Sequence, residues 1–100
     1  MNVSEMAENL GLEEEEYLEL VELFVETGTS ELDKLQTAME GGDAERAVQS
    51  AHSLKGASAN LGLMEFSETA KEIEEKARND QLEGTLNSAR TLKEKMDIIA

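Results

Sequence analysis

One hundred residues with 9 Lys and Arg against 23 Asp and Glu, a net charge of −14, fit a single domain over 1–100 whose surface repels a phosphate backbone or an anionic bilayer. The absence of cysteine excludes a disulfide framework and a thiolate metal site, and the absence of proline, with only one Tyr and two Phe, makes strand and turn chemistry scarce. No basic start precedes an apolar run and no stretch reaches the roughly 18 apolar residues of a membrane span, so the expectation is a cytoplasmic, all-α chain that binds neither nucleic acid nor membrane.

Residues 1–12 predict a short extra helix and turn: Val3, Met6 and Leu10 share a face behind Ser4 as cap, and Gly11 stops it. From Glu13, the positions Tyr17, Val21, Phe24, Leu32, Leu35 and Met39 form one apolar stripe with Gly28 filling its vacancy. The run Glu13 to Glu16 could gather cations, yet carboxylates in a first turn equally complement the helix dipole. Unbroken to Glu40, this helix would measure about 42 Å at ~1.5 Å per residue, and Gly28 with Thr29 is the one place where it could kink.

Gly41 and Gly42 close that helix and Asp43 caps the next, which runs toward Gly62. A further helix carries Phe66, Ala70, Ile73 and Ala77 in register and ends at Asn79 and Asp80. Asp80 with Glu83 reads as a capping box opening a last helix with the stripe Leu82, Leu86, Ala89, Leu92, Met96 and Ile99. Long helices joined by short turns predict an antiparallel up-down four-helix bundle over 13–100.

The chain has one histidine, His52. Taking it as zero on the helical wheel, Leu61, Leu54 and Ala47 fall at about 180°, 200° and 220°, so the imidazole lies opposite the buried stripe and faces water. Lys55, Gly56 and Ala59 share its face, with Val48 at the margin. An ammonium at i+3 disfavours imidazolium but favours a dianion carried on the ring. Gly56 at i+4 costs roughly 1 kcal/mol of helix propensity relative to alanine, a penalty with a purpose if a partner must approach the ring closely. A metal centre is unsupported: Glu-x-x-His pairs are needed in a carboxylate bundle, and Gln49 stands three residues before His52.

Together, His52-Ser53-Leu54-Lys55-Gly56-Ala57-Ser58-Ala59-Asn60-Leu61-Gly62 resembles the signature of histidine-containing phosphotransfer (HPt) domains. Phe24 through Met39, the Gly42-Asp43 turn, the approach from Ala47 to Ala51 and the Ile73-Glu74 pair are also similar, so the resemblance extends from Tyr17 onward. It implies a phosphorelay carrier, not an enzyme: His52 accepts a phosphoryl group through Nε2 from a receiver-domain aspartyl phosphate and passes it to another receiver. Lys55 would neutralise phosphoryl charge, Gly56 would admit the receiver, and Ala59, Val48 and Lys71 would complete the contact face. No cofactor is expected on this chain; Mg²⁺ would come with the receiver. Receivers, a hybrid histidine kinase among them, are the implied partners of a monomer.

Nδ1 of His52 needs an acceptor if Nε2 is to attack. Counting ten residues back from the hairpin turn places the helix from Met64 level with His52 between Lys71 and Glu74, and the resemblance to chemotaxis-type kinases, where a glutamate on this helix orients the histidine, points to Glu74. Two rivals stay open on the sequence: a phosphoacceptor domain loaded by an ATP-binding kinase domain, and an adaptor that binds receivers without carrying phosphate.

Overall fold

The computed structural model describes residues 2–99. Among them lie five helices and no strand: α1 (Val3–Asn9), α2 (Glu14–Glu40), α3 (Ala44–Asn60), α4 (Met64–Arg78) and α5 (Thr85–Ile99). The four long helices form a square in which α2 and α4 each pack on both α3 and α5, and α1 lies against α2. At ~1.5 Å per residue the 27 residues of α2 account for most of the 42 Å long axis.

Short connections turn the chain back on itself. At 41–43 and 61–63 a glycine in the left-handed region, Gly42 (φ 69°) and Gly62 (φ 75°), makes the reversal. Asp43 then caps α3 by accepting from the Arg46 amide at 3.2 Å. The antiparallel sense of α2 and α3 is tied at one end by the buried Tyr17 hydroxyl, which donates to the Leu61 carbonyl at 2.8 Å. Further along α2, Gly28 faces Leu54.

The expected stripes supply most of the core, although Met39 is half-buried and Ala38 beside it takes the buried position. Tyr17, Val21, Phe24, Gly28, Leu32 and Leu35 of α2 are buried, as are Ala47, Leu54 and Leu61 and all four stripe residues of α4. Phe24 and Phe66 meet edge to face with centroids 5.3 Å apart. The helix from Glu14 to Glu40 runs unbroken through Gly28 and Thr29; the Thr29 hydroxyl bonds back to the Val25 carbonyl at 2.7 Å and the ladder continues. Gly28 is there for packing: a β-carbon on it would lie 2.5 Å from the Met96 methyl of α5. Gly28→Leu is therefore expected to cost about 1–3 kcal/mol by overpacking the α2–α5 contact, despite its gain in helix propensity, measured by chemical denaturation.

Three local expectations are corrected. Asn2, not Ser4, caps α1, its side chain accepting from the Glu5 amide at 3.1 Å, while Leu10 stays exposed and Ala7 takes the buried position. Asp80 does not open a capping box for α5. Its φ of 57° belongs to the chain reversal that ends α4, sealed by the Gln81 amide on the Lys76 carbonyl at 2.7 Å, and an N-cap needs extended backbone instead. Helix α5 begins later, at Thr85, whose buried hydroxyl bonds the Leu82 carbonyl. As a result Thr85 occupies the core and Leu86 faces outward, with Ala89, Leu92 and Met96 buried as expected. In the acidic run, the Glu13 amide donates to Glu16 Oε1 at 3.1 Å, so these carboxylates serve the start of α2.

Candidate functional site

Helical spacing puts His52 on the face of α3 opposite Ala47, Leu54 and Leu61, and its side chain is 64% exposed. Because α4 runs antiparallel to α3, residue 74 returns to the level of residue 52. Glu74 is not a surface glutamate: its side chain is 4% exposed, yet its carboxylate reaches three donors. Oε2 lies 2.8 Å from His52 Nδ1 and 2.9 Å from Arg78 Nη2, and Oε1 lies 2.6 Å from Lys55 Nζ.

Burial works to raise the Glu74 pKa, but hydrogen bonds from Lys55 and His52, with their charges, outweigh it and hold the carboxyl below its ordinary value of 4.5. An ionised carboxylate can only accept. Nδ1 of His52 therefore bears a proton, and whenever the ring is neutral its lone pair lies on Nε2. In its neutral form an imidazole held this way presents Nε2 toward solvent and is equipped for attack on an electrophile brought by a partner.

The surroundings are low and firmly built. The Lys55 carbonyl accepts from Ser58 Oγ of its own helix at 3.0 Å and from Ser67 Oγ at 3.1 Å, and the second bond ties α4 to α3. Gly56 and Ala59 are exposed, and a β-carbon on Gly56 would meet no heavy atom within 4 Å. Nothing inside the fold requires that glycine.

The Hpt domain family model matches residues 19–100. The chain belongs to the Hpt domain family. Among solved structures, histidine-containing phosphotransfer protein B (HptB) from Pseudomonas aeruginosa PAO1 is similar, with a TM-score of 0.84 and 31% identity over 94% of this chain and 82% of that one. No curated protein matches.

In this Hpt domain the structure brings His52, Lys55 and Glu74 together and leaves Gly56 and Ala59 open beside them. Val48 is half-buried and lines a shallow depression with Ala44, Gln49, Ala77 and Arg78. Lys71 is exposed and makes no ion pair among the described residues. The sequence reading does not single out Arg78 or Ser67, and it names Ser58 only as part of the signature. Arg78 is four residues after Glu74, a spacing at which a glutamate and an arginine meet on a helix, and Ser67 is a polar residue two helical turns before Glu74 on the same face. Among the described residues no group of three or more His, Asp or Glu side chains is placed to hold a metal ion, and no helix is long and apolar enough to cross a membrane.

Proposed function

We propose that this Hpt domain carries a phosphoryl group on His52 Nε2 between receiver domains. A phosphotransfer role in two-component signalling, as a carrier and not an enzyme, comes with the family. The observation that supports the finer reading is the imidazole itself, exposed at Nε2 and held at Nδ1 by a buried carboxylate.

In this reading Nε2 attacks the phosphorus of a receiver's aspartyl phosphate. The Nε2–P bond forms as the acyl O–P bond breaks, and the aspartate carboxylate leaves with the electron pair. Positive charge develops on the ring, and Glu74, still accepting from Nδ1–H, stabilises it. Retaining that proton also keeps the ring a good leaving group for the next transfer. Lys55 neutralises phosphoryl oxygens, Gly56 and Ala59 leave space for the receiver, and Val48 and Lys71 are contacts at its edge. Mg²⁺ belongs to the receiver's acidic site, since phosphoryl transfer asks chiefly for positioning and charge neutralisation. With a net charge of −14, long-range steering opposes an acidic partner, so short-range contacts around His52 carry recognition and binding is transient.

The His52–Glu74 bond also favours a second reading, since a glutamate at this place orients the histidine in chemotaxis-type kinases. Separate incubations with an aspartyl-phosphorylated receiver plus Mg²⁺, and with ATP plus a histidine-kinase catalytic domain, distinguish them. Acid-labile, alkali-stable label from the receiver supports the relay; label from the kinase domain alone supports the second reading. Label from neither leaves the adaptor.

Two variants probe the landing face. Gly56→Leu is expected to keep or raise the melting temperature, gaining up to about 1 kcal/mol of propensity at an open position, while receiver binding weakens at least roughly tenfold, measured by titration calorimetry. Lys55→Ala is expected to slow transfer roughly tenfold, the scale of one charge-assisted hydrogen bond, in a rapid-quench assay.

A further inference from the structure

Glu74 is over-supplied with cations. One buried carboxylate holds the Lys55 ammonium on Oε1 and the Arg78 guanidinium on Oε2 while also accepting from His52 Nδ1, which is two permanent positive charges against one negative. A single cation would satisfy it. The second leaves a surplus charge beside an exposed imidazole, at the cost of repulsion between the two cations, and that charge is free to meet another anion.

The two cations differ in freedom. Lys55 sits one helical turn from His52 on the same face of α3, with its ammonium on a flexible stem. Arg78 is anchored on α4 four residues after Glu74, in the favourable order for an i, i+4 pair, and reaches in from the rim with its side chain 62% exposed. If Lys55 left a buried carboxylate that had no other cation, the penalty would be strongly unfavourable, so without Arg78 the lysine stays where it is.

We propose that Arg78 is a positioning residue that releases Lys55: when a phosphoryl dianion occupies His52 Nε2, Lys55 moves from Glu74 to the phosphoryl oxygens and Arg78 remains as the counter-cation of Glu74. The proposal rests on His52 as the phosphate carrier, but not on which partner loads it. Arg78 need never touch the phosphoryl group. Its effect passes through Lys55.

The test is a double-mutant cycle on the full chain, phosphorylated chemically with phosphoramidate so that no receiver or kinase is required. The readout is the ³¹P titration midpoint of phospho-His52, which a cation on the phosphoryl oxygens lowers. Arg78→Gln is expected to raise the midpoint by roughly half a pH unit, the size of a partly exposed ion pair. Arg78→Lys restores most of the shift, Lys55→Gln raises the midpoint at least as far, and the double variant shifts no further than Lys55→Gln alone. Unchanged titration in Arg78→Gln overturns the handover. So does an undiminished effect of Arg78→Gln in the Lys55→Gln background, which would mean direct contact with the phosphoryl group. If the variants give this pattern yet the wild-type chain takes no phosphate from any receiver, the relay reading fails and the handover stands.

Discussion

His52→Gln is expected to abolish acid-labile phosphate incorporation, with no residual transfer, and to leave helix content and melting temperature nearly unchanged. Both halves follow from the same geometry. In the proposed relay the ring supplies the nucleophilic nitrogen, and no other histidine exists in the chain to replace it. Its side chain is 64% exposed and fills no place in the core, so truncation creates no cavity; surface substitutions of this kind stay within about 0.5 kcal/mol. The glutamine amide can still donate toward Glu74, which limits the loss further. Rapid-quench labelling with a phosphorylated receiver and thermal denaturation by circular dichroism measure the two halves. A large loss of stability would make the ring a structural element.

Glu74→Gln is expected to slow phosphorylation of His52 roughly 10–100-fold, the scale seen when a carboxylate hydrogen-bonded to a metal-bound histidine is removed. The amide retains one carbonyl oxygen, but its NH₂ then faces Arg78 or Lys55, a donor against a donor, and no negative charge remains to stabilise the ring as it becomes positive. Nitrogen-15 NMR of the imidazole reads the cause directly: the Nδ1–H tautomer should lose its dominance in the variant. The same substitution has a signature in acid. Since folding depresses the Glu74 pKa below its ordinary 4.5, the carboxylate contributes stability that is fully present above that value and is lost as pH falls through the folded pKa. The overall charge works in the opposite direction, because acidification toward the isoelectric point near 4.3 relieves repulsion among the remaining carboxylates. The difference in unfolding free energy between wild type and Glu74→Gln isolates this one group and should shrink below pH 4.5. A constant difference would show that the ion-pair network does not hold the carboxylate ionised.

Much of this was legible in the sequence because it depends on periodicity. The stripes of α2, α3 and α4 specify which faces meet, and the vacancy at Gly28 is the space occupied by the Met96 methyl. The outward aspect of His52 follows from angles on one helix, and the level of Glu74 from counting through a short hairpin. What the pattern does not encode is side-chain choice among several partners. Lys55 reads from spacing as a neighbour of the ring, yet its ammonium lies on Glu74, because a buried carboxylate one helix away competes more strongly for a cation than a neutral imidazole does. Arg78 was hidden because Glu74–Arg78 looks like any i, i+4 surface pair until the glutamate is known to be buried. The start of α5 departs from the sequence expectation for a different reason. Asp80 and Glu83 have the right residue types for a box, but backbone conformation decides a cap, and Asp80 is consumed in ending α4.

One nitrogen atom decides the role of His52. After incubation of the isotopically labelled chain with an aspartyl-phosphorylated receiver and Mg²⁺, heteronuclear NMR correlating phosphorus with the imidazole nitrogens should show the phosphoryl group bonded to Nε2 of His52, with Nδ1 still directed at Glu74. A phosphoryl group found on Nδ1 would contradict the site described here, as would label on any other residue or no label at all.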